Sequence, residues 1–471
     1  MEEKTKKKFI LSHILLLVAF AVIYFMPYLA SMAGDTCLPP MTRFVRFYMI
    51  EVFTTLFLCY YLFLYYYKTT GMTLFSSRGV SAYFWVATLA VFLLLCYSRA
   101  VLSTDLYEYS LRGRMFGIHG LNPYLHIPEE IKHDLFYSLI FWKKTPECYG
   151  PAWVLIGALH TLFYKNSVVL TIFMHKLVLL VFLMLSGFFF HRLCRRLGID
   201  NTGLMTAAFI MNPLVVIMTL VDGHNEIAMV AFFLAALYFL YKSKYVVSIL
   251  LFTAAVQVKF AYVLLAPFFF LYILLGPGKK RTGSRIYEIL TGGVLSLGLL
   301  ILLWLPFGWR SVPAVVDYYR ELNLNFWYDS IPYAVYFIMD KAGLTVSKQA
   351  LAGVFSAAFL AIYVYLIWFF VRRVKTDRRA IFTVSSFVIL ALLFTNYTQF
   401  QPWYLLWVIP LILLSGFRTS FMLVFFLSYF LIMTFWKRMC VLAIPMVALY
   451  FFILSGYERY KGRLKFFFAL D

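Results

Sequence analysis

From Phe9 onward the chain alternates apolar runs of about 15 to 25 residues with short polar joints, and that alternation constrains the fold more than any other feature. A run of that length can cross the hydrocarbon of a bilayer as a helix, which satisfies its own backbone hydrogen bonds where no water can. Set beside the charges in the joints, the runs predict about 14 transmembrane helices with both termini in the cytoplasm. The fold class expected is an all-α polytopic membrane protein. The joints Lys4 to Lys8, Arg192 to Arg196, Lys279 to Arg285, Arg372 to Arg379 and Arg459 to Lys465 are dense in Lys and Arg and read as cytoplasmic anchors.

Those anchors also account for a formal net charge of +21, which would otherwise suggest a nucleic-acid partner. Hydrophobic residues make up 63% of the chain, charged residues 13%, and mean hydropathy is +0.83, so no basic face is left outside the anchors to follow a phosphate backbone. The six cysteines have no metal-ligand spacing, and Cys59, Cys96, Cys194 and Cys440 fall in or beside apolar runs as small core residues. Cys37 and Cys148 fall in loops expected outside, where a disulfide between them is chemically allowed. The first run, Phe9 to about Met32, is too long for a signal-peptide core and lacks a small-residue cleavage site, so it is expected to stay as a span.

Spans expected near residues 9–32, 46–67 and 80–98 make residues 1–98 an N-terminal helical unit and put the next segment, residues 99–167, outside. Within that loop Pro151 to Tyr164 is apolar but short, and reads as an interfacial or re-entrant helix. Residues 168–471 continue the bundle with spans near 168–191, 203–221 and 227–241, then two short spans from 245 to 275 broken at Lys259. Spans near 286–306 and 350–371 flank a second outer loop, residues 307–349, which holds Arg310, Asp317, Arg320, Glu321 and Asp329. Spans near 381–395, 403–415, 420–435 and 440–455 finish the chain.

The stretch from Ser103 to Pro151 carries carboxylates, arginines and histidines instead of solubilising filler. Asp105 directly follows an apolar run, at the membrane surface. On a helix it shares a face with Glu108 and Arg112 through i, i+3 and i+7 spacing, while Leu106 and Phe116 turn elsewhere. Arg114, His119, Asn122 and Tyr124 follow at a depth where an unneeded charge is disfavoured, and Tyr149, Gly150 and Pro151 fold the loop back over the bilayer. The plainer reading of Asp105 with Glu108 is a capping box. As a metal site the pair is weak, because two carboxylates on one helix supply too few ligands and no Asp-x-Asp is present.

Lys259 lies inside an apolar run, where mid-bilayer placement costs roughly 2.5 to 3.5 kcal/mol. It therefore reads either as a snorkelling lysine at a span end or as a counter-ion for a lipid phosphate. Lys176 is a second candidate for that phosphate, and His175 beside it reads as a neutral core residue. Asp222, Gly223, His224, Asn225 and Glu226 form a tight outer turn that is either solvated or suited to sugar hydroxyls. Gln399, Gln401, Trp403 and Tyr404 combine amides with aromatic faces, which suits a sugar or an isoprenoid chain as well as an interfacial aromatic belt.

Taken in order, Asp105, Tyr107 and Tyr109, then Gly117, Asn122, Pro123 and Tyr124, then Tyr149, Gly150 and Pro151, then Asn212 and Pro213, then Gly223 to Glu226 make a pattern. With the Lys259 break and the run Gln401, Pro402, Trp403, Tyr404, it resembles the polyprenol-phosphomannose-dependent mannosyltransferases of the GT-C superfamily, through most of residues 80–410. The resemblance implies a multi-span fold whose first large outer loop carries an acidic general base, and a lipid-linked sugar as donor. Carried over by position, Asp105 is that base. The extra C-terminal spans add little to the match, and the motifs do not name the sugar.

The function expected is an inverting glycosyltransferase of the plasma membrane that moves a sugar, mannose first, from a polyprenyl phosphate to a hydroxyl of a glycan or glycolipid outside the cytoplasm. Asp105 takes the acceptor proton, and Lys259 with Arg112, Arg114 or Arg310 stabilises the departing phosphate. Glu108, His119, Asn122, Tyr124, Tyr149, His224, Asn225, Glu226, Gln401, Trp403 and Tyr404 are expected to face sugar or acceptor. No cofactor is called for, with a divalent metal as the alternative. The partners are the lipid-linked donor, the acceptor and the bilayer, and no nucleic acid. The rival class is a transporter or flippase of lipid-linked sugars, which would show paired repeats and polar features on both sides of the membrane rather than one.

Overall fold

The computed structural model describes residues 2–31, 43–70, 78–277, 280–325, 327, 330–396, 399–416 and 420–435. Among them every element is helical, as runs that must close their own backbone hydrogen bonds require. The helices are α1 (Glu2–Ser31), α2 (Arg43–Thr70), α3 (Arg78–Cys96), α4 (Asp105–Gly117), α5 (Pro151–Phe163) and α6 (Val168–Arg196). They continue as α7 (Thr202–Ile210), α8 (Pro213–Val216), α9 (Glu226–Tyr241), α10 (Tyr245–Val258), α11 (Ala266–Leu275) and α12 (Thr282–Trp304). The last are α13 (Ser311–Asn325), α14 (Ile331–Lys341), α15 (Lys348–Arg373), α16 (Ala380–Ala391), α17 (Ile409–Ser415) and α18 (Ser420–Phe435).

Length separates these helices in a way the apolar runs did not. Five stretches are long and apolar enough to cross a bilayer, within α1, α2, α6, α12 with its 3-10 extension, and α15. A sixth is the α7–α8 pair with its π turn, bent by 48° at Asn212 and Pro213. The other apolar helices have 10 to 17 residues, short of a full crossing by length alone. Length and composition thus support five or six spans among the described residues, fewer than the 14 expected, and the run expected at 440–455 lies outside those residues.

Burial sorts the helices by role. α9 is apolar and buried nearly all round, the pattern of a helix at the centre of a bundle. α12 and α15 instead leave Leu290, Val294, Leu297, Ile301, Val354 and Leu360 open, a surface that water would not tolerate and lipid would. The segment between α3 and α6 has a core of its own, in which Leu106, Leu111 and Met115 of α4 meet Ile131, Phe136 and Ile140. α4 and α5 cross at Gly113 and Gly157, where a methyl on Gly113 would run into the Gly157 backbone.

Candidate active site

α4 is aimed by the residues around its start. Asp222 Oδ1 accepts from the backbone N–H groups of Val101 and Leu102 at 2.7 and 2.8 Å, and Lys176 Nζ donates to the Ser98 carbonyl at 2.7 Å. Both fix the strap that leads into Asp105. Lys176 is thereby engaged away from the expected phosphate site. Gly223 holds φ at +69° with Leu106 Cδ1 2.6 Å from where its Cβ would sit, so the turn and α4 pack without a side chain between them. The solvated alternative for this turn fails, because Asp222, His224, Asn225 and Glu226 are all fully buried.

The capping-box alternative fails as well. Thr104 is the N-cap and its side chain caps nothing, while Glu108 Oε1 accepts from the N–H groups of Phe141 and Trp142 at 2.6 and 2.7 Å. Glu108 thus pins the far side of the loop, and its buried Oε2 has no partner. Asp105 keeps its own side chain off the helix end. Its carboxylate, 18% exposed, looks into a cavity of about 280 Å³.

Five parts of the chain line that cavity. α4 gives Asp105, Glu108, Tyr109 and Arg112, and the loop before α5 gives Trp142, Thr145, Glu147, Cys148 and Tyr149. The break after α10 gives Lys259, α13 gives Tyr318, Tyr319 and Leu322, and the end of the α16 π turn with the segment after it gives Leu392, Asn396, Gln399, Gln401, Trp403 and Tyr404. The loop is seated on the break. Gly150 N–H donates to the Val258 carbonyl at 3.1 Å, and any side chain at Gly150 would strike the Gln257 carbonyl. Glu147 Oε1 accepts from the Cys148 and Tyr149 N–H groups at 2.7 and 2.8 Å, and the hydroxyls of Tyr124 and Tyr319 donate to the Tyr149 and Cys148 carbonyls at 2.8 and 2.9 Å.

Asp105 sits in a web of buried charge. His224 Nδ1 is 3.7 Å from its Oδ2, 3.9 Å from Glu226 Oε2 and 3.5 Å from the Tyr109 hydroxyl, and the His224 ring stacks on Trp403 at 4.0 Å. Lys259 donates to Glu226 Oε1 and lies 4.8, 5.0 and 5.2 Å from the ring centres of Tyr149, Tyr404 and Trp407. Burial pushes the Asp105 carboxyl up from 3.8 to about 7, helped by the negative charges of Glu108 and Glu226 and opposed by Lys259 and the Ser103 side chain. Burial raises Glu108 too, against the pull of Arg112.

Asp105, Glu108, Arg112, Tyr149, Lys259, Gln401, Trp403 and Tyr404 therefore come together at the cavity, with His224 and Glu226 directly behind. Asn225 is buried next to them with neither amide atom partnered. Five expected residues lie elsewhere. Arg114 Nε pairs with Asp134 at 2.9 Å and His119 meets the same carboxylate at 2.7 Å. The reason is helical phase: Arg112 is seven residues from Asp105 and returns to its face, whereas Arg114 is nine away and points opposite. Asn122 donates to the Phe307 carbonyl at 2.6 Å and the Ser311 hydroxyl at 2.9 Å, tying the first loop to the second. Tyr124 is the prop under Tyr149, and Arg310 is exposed beside Trp309.

The cavity also holds residues not foreseen as site residues. Glu147 is one, and its place two residues before Tyr149 was a usable signal. Tyr318 and Tyr319 had only their position in the second loop to announce them. Cys148 lines the cavity, while Cys37 lies outside the described residues. Among the described residues no three of His, Cys, Asp and Glu converge as a metal site requires.

Residues 10–275 match the family model described as "Alpha-(1->6)-mannopyranosyltransferase, N-terminal domain". The matched region contains α4, the loop before α5 and Lys259, but not the α13 and 392–404 walls. The chain is 26% identical over 353 residues to a Mycobacterium tuberculosis protein named alpha-(1->6)-mannopyranosyltransferase A, covering 71% of this chain and 64% of that one. It is 25% identical over 182 residues to the Corynebacterium glutamicum protein of the same name, covering 37% and 35%. In both cases it spans less than two thirds of the relative's length. No solved structure matches it.

Proposed function

The chain belongs to the alpha-(1->6)-mannopyranosyltransferase family, and we propose that its cavity transfers a mannosyl unit from a polyprenyl-phosphate donor to a hydroxyl of a glycan or glycolipid, with inversion. The observation that carries this reading is Asp105, a carboxylate open to the cavity whose affinity for a proton is raised to about 7. A base of that strength takes a hydroxyl proton only as the attack develops, which is what a general base must do near neutral pH. The acceptor oxygen bonds to the anomeric carbon, the bond from that carbon to the phosphate oxygen breaks, and its electron pair leaves on the phosphate. The acceptor proton goes to Asp105. One displacement inverts the centre and requires no covalent sugar on the protein.

Arg112 and Lys259 are the cations on the lining, so the leaving phosphate belongs beside them. Arg112 donates to the Trp142 carbonyl at 3.2 Å and Thr145 at 3.4 Å, which holds its head at the cavity wall. The unpartnered Oε2 of Glu108 and the amides of Gln399 and Gln401 suit sugar hydroxyls, and Trp403, Tyr404 and Tyr149 offer aromatic faces. In this reading residues 99–167 are an extracytoplasmic catalytic loop of a plasma-membrane protein, and the short helices are parts of about 14 crossings in total. Incubating the detergent-purified chain with radiolabelled polyprenyl-phosphate mannose and a soluble mannoside tests it. Label moving into the mannoside is expected. Label that only changes sides in proteoliposomes, still attached to the lipid, would mean a carrier and overturn the reading.

A further inference from the structure

At the other end of α6 from the active-site cavity lies a second cavity of about 340 Å³. Met184, Gly187, Phe188, His191, Arg192 and Arg195 follow one another along a single face of α6, and Trp85 of α3 with Thr206 and Ile210 of α7 close the cleft opposite. The helical rise puts His191 about 24 Å along α6 from His175, which stacks on Tyr109 at the first cavity, so the two are separate. The lining grades along about 16 Å of helix, from apolar at Met184, Gly187 and Phe188 to basic at His191, Arg192 and Arg195.

The cations around this mouth divide into two groups. Arg196 donates to the Tyr241 carbonyl at 2.7 Å and Arg379 to the Leu197 carbonyl at 3.5 Å, so both close helix ends. Arg192 lies over the Phe188 ring at 5.2 Å, and neither it nor Arg195 has an ion pair or a hydrogen bond from its guanidinium among the described residues. His191 is held to the Thr206 hydroxyl at 3.1 Å. Two unneutralised guanidiniums at the rim of an apolar cleft match an anion carried on a hydrocarbon stem. We propose that the cleft is a binding site for an anionic membrane phospholipid, its phosphate on Arg192 and Arg195 and the start of an acyl chain against Phe188, Met184 and Trp85. A zwitterionic lipid would bring its own ammonium towards the same arginines, and a free phosphate would leave the apolar part of the cleft unfilled.

The test uses the full chain in detergent, titrated with phosphatidylglycerol, phosphatidylcholine or inorganic phosphate and followed by native mass spectrometry and thermal shift. Phosphatidylglycerol is expected to remain on the protein one per chain and to raise its melting temperature more than the other two. Arg192→Gln with Arg195→Gln, both at exposed positions, is expected to weaken phosphatidylglycerol by about tenfold or more. Arg372→Gln with Arg373→Gln, which removes the same charge from the end of α15, is expected to change it by less than about twofold. Equal retention of phosphatidylcholine, an equal response to phosphate alone, an unaltered double variant, or an equal loss in the control pair would each overturn the proposal.

Discussion

Replacing Asp105 by Asn should make this protein inactive and more stable at once, and the two effects have one cause. Raising the carboxyl from 3.8 to about 7 means that the ionised form costs up to about 4 kcal/mol more in the folded chain than in the unfolded one. The side chain is 18% exposed, so water relieves part of that cost and the figure is a ceiling. Because the folded value lies above the unfolded one, the folded chain binds the extra proton between the two. The contribution of Asp105 to stability is therefore greatest below about pH 4, falls as pH rises, and is lost above about pH 7. Asn keeps the shape and carries no charge, so it removes the pH-dependent part.

Melting of both proteins from pH 5 to pH 8.5 reads this directly. The Asn variant should exceed wild type by several degrees at pH 8 and by progressively less towards pH 5. In the transfer assay its turnover should fall at least about 100-fold with donor binding retained, since only the proton acceptor is gone. The wild-type rate should climb through about pH 7 as Asp105 ionises. A variant with near-normal turnover, or one whose stability tracks wild type at every pH, would refute the assignment of Asp105 as a buried, catalytic base.

Lys259→Met should lower both melting temperature and yield, because it strands Glu226 as a buried unpaired carboxylate at a cost of about 3 to 5 kcal/mol; adding Glu226→Gln should restore folding while the Michaelis constant for the donor stays raised, and a double variant with wild-type kinetics would remove Lys259 from the site. Gly150→Ala should reduce turnover with the chain still folded, because the loop must lift off the Gln257 carbonyl and carry Tyr149 with it; unchanged kinetics would show that the seat does not position the cavity wall. In a background without native cysteines, Arg320→Cys, at a position where the arginine side chain is 74% exposed, should react with an impermeant thiol reagent from outside, and Gly283→Cys should not. Labelling of the second alone would put the cavity on the cytoplasmic side.

Helical periodicity made the local part of the site legible. The face shared by Asp105, Glu108 and Arg112 follows from spacing alone, and the same arithmetic, carried two residues further, would have turned Arg114 away. The apolar runs placed helices among the described residues, whereas run length alone does not say how many of them cross. Lys259 ends α10 in extended backbone, and the α7–α8 pair bends at Asn212 and Pro213, so apolar length and membrane thickness part company at those points. What the spacing could not carry is partnership across long separations. Asn122 reads locally as a polar loop residue, and only the fold shows its amide committed to Phe307 and Ser311, 185 and 189 residues away. Tyr318 and Tyr319 reach the cavity by the same long return.

Lys259 and Glu226 show what such a partnership changes. Taken singly, one was expected to meet a phosphate and the other a sugar, yet they bond to each other under three aromatic rings. The lining then carries Asp105, Glu108 and Glu147 against Arg112 and Lys259, with Glu226 already balancing the lysine. Fully ionised, such a wall would repel a phosphate-bearing donor rather than draw it in. Burial eases the conflict by lifting Asp105 to about 7, so that near neutral pH part of its charge is capped by a proton, and it raises Glu108 in the same direction. In the proposed reaction a donor phosphate beside Arg112 and Lys259 raises the proton affinity of Asp105 as well, which strengthens the base while transfer still requires its ionised form. The carboxyl proposed to accept the acceptor's proton is thus held, by the same burial, near the pH at which it can still ionise and yet bind that proton firmly.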